Sequence, residues 1–240
     1  APVITFAINE SNAVTAVSES LKKDTHQHFK VGREIEVIPN FICLEQYNLK
    51  EENITLKNSF CPNDEKILIH ISNFRKVKRT EDVLRIFDIV RQQKSVVLLM
   101  VGDGPERSRL EQLCRELNVC DQVKFLGKVK DTERILSIAD VFILPSESES
   151  FGLAALEAMA AKTPVISTNT GGIPEVNKNG VSGFLSNVGD VKSMAENTLK
   201  ILADDETLLK FKEGAFIQAK VFDIHTVLPQ YEKLYERLIH

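Results

Sequence analysis

PSESESFGLAALEAMAA, residues 145–161, is the segment that indicates the fold most directly, because it joins a predicted strand to a predicted helix. The preceding VFIL, residues 141–144, is a continuous apolar run of strand length, which predicts a strand covered on both faces. From Leu153 onwards the stretch is alanine, leucine and methionine with one glutamate, a composition that favours a helix. The first turn of such a helix offers unpaired backbone N–H groups and a positive dipole end, which together favour a bound phosphate.

Two carboxylates frame this strand-to-helix unit: Glu149 lies at the turn, and Glu157 follows after seven intervening residues. On one regular helix they would be roughly 12 Å apart, at about 1.5 Å per residue. That is too far for the acid pair of a glycoside hydrolase, which needs about 5 to 9.5 Å. We interpret them as two hydrogen-bond acceptors for one elongated ligand. One would bind a sugar and the other a ribose, with a diphosphate between the sugar and the ribose. A solvated helix carboxylate is the alternative for Glu157.

Apolar strands and amphipathic helices alternate through the middle of the chain. The predicted strands are KILIHIS at 66–72, SVVLLMVG at 95–102, VKFLG at 123–127, VFILP at 141–145 and PVIST at 164–168. Because these strands are apolar throughout, they favour a parallel sheet with helices on both faces. The predicted fold class is therefore α/β, a doubly wound, Rossmann-like parallel sheet. Three helices, at about 193–202, 206–221 and 227–239, are predicted to end the chain.

The first 65 residues carry weaker patterns. VITFAI, residues 3–8, predicts a strand, residues 14–29 predict a helix, and IEVIPNFI, residues 35–42, predicts a strand with a turn. Residues 43–65 are polar and predict an irregular surface loop. The last predicted helix has an apolar stripe wide enough to need a partner surface. A chain that opens in a strand without an initiator methionine also suggests an upstream domain.

Cations and glycines follow the strand ends, where ligands of open parallel sheets bind. NFRKVKR, residues 73–79, gathers arginines and lysines that suit a diphosphate, although a solvated approach to the next helix is the alternative. In GDGPER, residues 102–107, two glycines let the backbone come close to a ligand. Arg107 stands where the dinucleotide fingerprint needs a glycine, so no NAD site is predicted.

ESFGLAALEAMAAKTPVISTNTGGIPEV, residues 149–176, resembles the signature of the retaining glycosyltransferases of family four. The shared features are two glutamates with seven residues between them, a Phe-Gly after the first, and a Gly-Gly-x-x-Glu after the next strand. That family has the two-domain GT-B architecture. The resemblance implies that this chain is the C-terminal half of a GT-B fold with remnants of the N-terminal domain. It implies an acceptor-domain remnant at 1–39, a donor-binding domain at 40–222 and a crossing helix at 223–240.

The resemblance also implies roles for residues of the signature. Glu149 would hold hydroxyls of the transferred sugar, and Glu157 would hold the ribose hydroxyls. The backbone N–H groups of Phe151, Gly152 and Leu153 would face the sugar and the diphosphate. Such enzymes read the base largely through backbone groups, so a uridine nucleotide is expected from family frequency.

Two cations would hold the diphosphate in this family. Lys78 matches the usual lysine, but Asn73 stands where an arginine is usual, so Arg75 is the expected substitute. The catalytic candidates are thus Glu149, Arg75 and Lys78. Further candidates to line the donor cleft are Gly102, Gly104, Val129 and Ser146.

VTAVSESL at 14–21, IPNFI at 38–42 and HISNFRKVKR at 70–79 most resemble bacterial members that start bacillithiol biosynthesis. This implies transfer of N-acetylglucosamine from UDP-N-acetylglucosamine to L-malate with retention of configuration. The alternatives are a related transferase with a lipid or polysaccharide acceptor, and a nucleotide-sugar binding module without turnover. Self-association is left open.

Composition argues against other classes of function. A net charge of −4 gives no general attraction to nucleic acid or to an anionic membrane. No stretch approaches the ~18 apolar residues of a membrane span. The four cysteines form no CxxC pair, so reduced thiols in the cytoplasm are expected. No Asp-x-Asp occurs, so neither a metal nor another cofactor is predicted.

Overall fold

The computed structural model describes residues 2–47 and 54–239. The N-terminal segment contains α1 (Pro2–Glu10), β1 (Val14–Ala16), α2 (Glu19–His28) and β2 (Ile35–Val37). β1 and β2 pair in parallel as a small two-stranded sheet. The predicted strand at 35–42 is therefore shorter than expected, and Ile42 makes only an isolated bridge to Asp223.

Two predictions for the N-terminal segment are wrong. Residues 3–8 lie in helix α1, none of whose residues is buried. A helix satisfies its own backbone hydrogen bonds, whereas a strand needs a neighbouring strand, and no strand in the described part of the chain pairs with residues 3–8. The predicted helix at 14–29 begins with strand β1, because Ser18 is extended (φ −157°) and its Oγ accepts the Leu21 N–H. This cap starts α2 at Glu19.

A larger sheet forms the centre of the chain and confirms the predicted fold class. Its strands are β3 (Lys66–Ile71), β4 (Val96–Val101), β5 (Val123–Gly127), β6 (Val141–Leu144), β7 (Val165–Thr168) and β8 (Gly183–Ser186). In the described residues this sheet has six strands in the order β5-β4-β3-β6-β7-β8, all parallel. The winding reverses between β3 and β6, and such a switch point opens a crevice at the carboxyl ends of the strands.

Helices cover both faces of the large sheet. They are α3 (Ile54–Phe60), α4 (Thr80–Arg91), α5 (Arg107–Glu116), α6 (Thr132–Leu136), α7 (Leu153–Ala160), α8 (Ile173–Val176), α9 (Val191–Ile201) and α10 (Asp205–Lys220). The last helix, α11 (Ile224–Ile239), follows them in the chain. One face packs mainly on α6, α7 and α8, and the other on α4, α5 and α9. Short 3-10 helices occupy Leu44–Tyr47, Lys76–Lys78 and Cys120–Gln122.

The region predicted to be an irregular loop, residues 43–65, is partly helical. Leu44–Tyr47 is a 3-10 helix and α3 follows it, while residues 48–53 lie outside the described part. Leu56 and Phe60 of α3 pack on the buried core, as does Tyr47. Packing of a few apolar side chains thus orders a stretch whose overall composition is polar.

The final helix, α11, finds part of its partner surface in the N-terminal segment. Val227 and Leu234 are buried against Ile38, and Arg237 donates a 2.5 Å hydrogen bond to Glu36. The apolar stripe is therefore partly covered within this chain. Its outer members remain exposed: Leu228, Tyr235 and Leu238.

Candidate active site

The candidate site lies at the switch point, where the loops after β3, β6 and β7 meet. The Glu147 N–H donates to the Val77 carbonyl at 2.8 Å, which ties the loop after β6 to the loop after β3. The Gly172 N–H donates to the Glu149 carbonyl at 2.9 Å, which ties it to the loop after β7. Residues far apart in sequence are thereby held in one rigid loop cluster.

Lys78 and Glu149 form an ion pair at the centre of this loop cluster. Lys78 Nζ donates to Glu149 Oε1 at 2.6 Å, and their side chains are only 22% and 13% exposed. Ser146 is fully buried, and its Oγ donates to the same oxygen at 2.8 Å. The structure thus brings together three of the predicted site residues. Their contacts with a donor stay a prediction.

The start of α7 has open N–H groups and directly follows the loop that carries Glu149. Gly152 is the residue before the helix and has φ 97°, a conformation that favours glycine. Among the described residues, no backbone carbonyl or side chain accepts from the N–H groups of Phe151, Gly152 or Leu153. The Phe151 ring is 1% exposed and packs edge-on against Phe222 at 5.5 Å, so only its backbone can serve a ligand.

Glu157 lies on α7, where its side chain is half-buried. Burial raises the pKa of Glu157, and the nearby Glu133 carboxylate raises that pKa further. Burial likewise raises the pKa of Tyr47, with Glu157 as the next cause. The alternative of a fully solvated helix carboxylate therefore does not fit Glu157. Tyr47 and Glu133 are neighbours that the sequence did not single out.

Arg75 and Val129 are two predicted site residues that lie apart from the Lys78–Glu149 ion pair. Arg75 is exposed just before the 3-10 helix of Lys76–Lys78, and its side chain takes no part in the ion pair of Lys78. Val129 is half-buried against the core beyond β5. The structure therefore does not bring either side chain to Glu149, and their roles stay predictions.

The glycines have a structural role that the sequence did not specify. A Cβ at Gly102 would lie 1.8 Å from the Ser72 carbonyl oxygen, and one at Gly104 would lie 2.1 Å from that of Asn73. Gly171 shows the same crowding against the Glu149 carbonyl, at 1.9 Å. These glycines thus let loop backbones pack on one another. Contact of Gly102 and Gly104 with a ligand stays a prediction.

Two residues outside the predicted site connect the N-terminal segment to it. The Glu175 carboxylate accepts the N–H groups of Glu19 and Ser20, both at 2.9 Å, at the start of α2. Ser18 Oγ donates to the Ser150 carbonyl at 2.6 Å. The Ser18 cap is a local signal that could have been read from the sequence. The partner of Glu175 could not, because it lies more than 150 residues away.

The described residues include no group of three or more His, Cys, Asp or Glu side chains arranged to hold a metal ion. None of the described helices is both long and apolar enough to cross a membrane. All four cysteines carry free thiols.

The family described as "Glycosyl transferases group 1" matches residues 52–218, well over half of the chain. The chain belongs to the group 1 glycosyl transferases. The matched range includes Lys78, Glu149 and Glu157, so the loop cluster at the switch point lies inside the part of the chain that matches the family.

Relatives of this group 1 glycosyl transferase include an N-acetyl-alpha-D-glucosaminyl L-malate synthase from Bacillus anthracis. The two are 42% identical over 97% of this chain and 61% of that protein. An uncharacterized glycosyltransferase of Methanocaldococcus jannaschii is 34% identical over 81% of this chain and 52% of its own length. The chain thus spans little more than half the length of these relatives.

Solved structures agree on the fold. HepE from Anabaena, crystallised in complex with UDP and glucose, superposes with a TM-score of 0.89 over 98% of this chain and 66% of that one. A sucrose-phosphate synthase from Thermosynechococcus elongatus gives a TM-score of 0.87 over 99% of this chain and 61% of that one. The sequence identities are 23% and 25%, so these likenesses support the GT-B architecture.

Proposed function

We propose that this chain is the donor-binding part of a transferase that moves N-acetylglucosamine from UDP-N-acetylglucosamine to L-malate, with retention of configuration. The observation that carries the proposal is the Lys78–Glu149 pair beside open N–H groups at the start of α7. The choice of L-malate as the acceptor is supported by the 42% identity to an N-acetyl-alpha-D-glucosaminyl L-malate synthase.

In this proposal the site handles charge at its centre and hydroxyl groups at its ends. Lys78 uses one of its three N–H donors on Glu149, which leaves two for a diphosphate. Arg75, exposed nearby, adds forked donors, and the helix start adds its dipole. Together they stabilise the negative charge that develops on the departing nucleoside diphosphate, often the largest catalytic contribution.

The two carboxylates then orient the donor. Glu149 accepts from hydroxyls of the transferred sugar, since its Oε1 already receives Lys78 and Ser146 and its other oxygen has capacity to spare. Glu157 accepts from the ribose hydroxyls. Its raised pKa reflects a half-buried place where a hydrogen-bonding ligand would compensate for lost water. No metal or other cofactor takes part in this proposal.

The proposed division of the chain into domains follows from the GT-B architecture. Residues 1–39 belong to an acceptor-binding domain, 40–222 bind the donor, and 223–240 form the helix that crosses back. The packing of Val227 and Leu234 on Ile38 supports the crossing, because it joins the two ends of the chain. The four free thiols support a cytoplasmic location.

Calorimetry tests the donor claim on the 240-residue chain. We expect binding of UDP and of UDP-N-acetylglucosamine, with UDP preferred over ADP and GDP. Glu157→Ala should weaken UDP binding about tenfold, the effect of losing about 1.4 kcal/mol of hydrogen bonding. Glu196→Ala, at an exposed glutamate of α9, is the matched control and should change nothing. Absence of UDP binding by the unmodified chain would overturn the proposal.

The chain by itself is proposed to bind the donor without appreciable turnover. This is supported by its span of 61% of the length of the malate synthase. In the family that the chain resembles, the acceptor site lies mainly on the N-terminal domain, to which this proposal assigns only residues 1–39. The assay compares this chain with the Bacillus anthracis relative, with L-malate as acceptor. Product formation by this chain at a comparable rate would contradict the proposal.

A further inference from the structure

His70 is a polar side chain buried in the middle of the apolar strand β3. It is 0% exposed, in a strand whose neighbouring residues are aliphatic. Its Nδ1 lies 2.8 Å from the Ile143 carbonyl of β6, and its Nε2 lies 2.7 Å from Ser72 Oγ. The imidazole thus connects the two strands that border the switch point to the first residue of the loop after β3.

These contacts fix the tautomer of His70. A carbonyl oxygen only accepts, so Nδ1 carries the proton and donates to Ile143. In a neutral ring Nε2 then accepts from the Ser72 hydroxyl. Burial lowers the pKa of His70 to about 4, so the ring is neutral at physiological pH. The Ser72 hydroxyl is thereby aimed at His70, and its oxygen is open to accept the Phe74 N–H at 3.3 Å.

The turn that receives this support is strained. Phe74 has φ 34°, a left-handed conformation that is unfavourable for a bulky residue, and its side chain is fully buried. The Phe74 carbonyl accepts the Glu106 N–H at 3.0 Å. Gly102 and Gly104 pack against the same turn through their missing Cβ atoms. Such a conformation persists only where its surroundings enforce it.

The cations follow this turn directly. Arg75 comes next, and the 3-10 helix after it ends at Lys78, whose Nζ reaches Glu149. A change in the turn at Phe74 would therefore shift both cations together. No ligand contact is needed for His70 to affect binding.

We propose that His70, acting through Ser72, is a positioning residue that holds the Phe74 turn so that Lys78 and Arg75 face the donor's diphosphate. The proposal rests on the donor site put forward above. It predicts an effect on recognition of the second phosphate rather than on stability alone, because the relay ends at the two cations and not at the base or the ribose.

The experiment measures affinities for UDP and UMP by calorimetry, with folding checked by circular dichroism. Ser72→Ala removes the hydroxyl at a half-exposed loop position, and His70→Leu removes the imidazole. Each should weaken UDP binding about tenfold, the equivalent of one lost hydrogen bond, and UMP binding less than about twofold. The double variant should lose no more than either single variant, because both break one relay. Ile69→Val, which trims a methyl group on the opposite face of the strand, is the control and should leave both affinities unchanged.

The outcomes are distinct. If the unmodified chain binds UDP and Ser72→Ala binds it within about twofold, the positioning role of His70 is overturned while the donor site stands. Equal losses for UDP and UMP, or a similar loss in Ile69→Val, would show general loosening and also overturn the role. If the unmodified chain binds no UDP, both the proposed donor site and the positioning role of His70 are refuted. Nitrogen-15 NMR of the imidazole is an independent check, since a proton on Nε2 rather than Nδ1 would contradict the relay.

Discussion

Replacing Lys78 with methionine tests whether the buried ion pair serves the donor or only the fold. Methionine is an unbranched side chain of similar volume, one atom shorter than lysine, and it removes the charge. The Glu149 carboxylate, 13% exposed, then loses its cation and keeps the Ser146 hydroxyl as a donor. Because the pair retains some contact with water, we expect the free energy of unfolding to fall by about 1 to 2 kcal/mol, less than for a fully buried pair.

The effect of Lys78→Met on binding should be larger. A charge-assisted hydrogen bond to phosphate is worth about 1.5 to 3 kcal/mol, so UDP affinity should fall about 10- to 100-fold. Calorimetry gives the affinity, and urea denaturation gives the stability. Lys192→Met on α9 is the control, since that lysine is 85% exposed and lies 3.9 Å from its partner. Both quantities should be unchanged there.

A second substitution separates the two effects. In Lys78→Met with Glu149→Gln the unpaired carboxylate is gone, and the Gln oxygen still accepts from Ser146. Stability should recover by about 1 kcal/mol, since replacing both partners of a pair is far less harmful than replacing one. UDP affinity should stay low, since no cation has returned. Full UDP affinity in the single variant, or its recovery in the double variant, would refute a phosphate-binding role for Lys78.

Two further predictions concern the surroundings of the site. Glu175→Ala removes the acceptor at the start of α2 and should lower stability by about 0.5 to 2 kcal/mol, with faster amide exchange at Glu19 and Ser20; unchanged exchange there would contradict the contact. The lowered pKa of His70 means that the unfolded state binds a proton between about pH 6.5 and pH 4 while the folded state does not. Stability should therefore decline as the pH falls through that window, and His70→Leu should flatten this part of a urea-denaturation profile.

Local composition was enough to predict β3 to β7, five of the six strands that the main sheet has in the described residues. The strands at Val123–Gly127 and Val141–Leu144 have the predicted bounds. These segments are mostly apolar, so burial agrees with local propensity. Where those signals conflict or are weak, prediction failed. VITFAI forms a helix because no strand in the described part of the chain pairs with it. Strand β8 was not predicted, because its sequence GFLS is short and begins with glycine.

The candidate site divides in the same way. The spacing of Glu149 and Glu157 and the lysine at position 78 could be read from the chain, and so could the helix start between the glutamates. Gly102 and Gly104 were predicted to be site residues, but the carbonyl groups of Ser72 and Asn73 that they pack against were not predicted. The placement of the two glutamates is confirmed, since Glu149 lies in the turn before α7 and Glu157 lies on the helix.

By itself, the sequence determined the alternation of strands and helices, the parallel sheet and the residue types at the strand ends. It could do so because apolar runs, helix periodicity and motif spacing are properties of neighbouring residues. The tertiary structure decided which partners meet: Lys78 with Glu149, Glu175 with the start of α2, and His70 with Ser72 and Ile143. Most of these contacts join residues 71 to 156 positions apart, and their geometry exists only once the sheet has brought its loops to one edge.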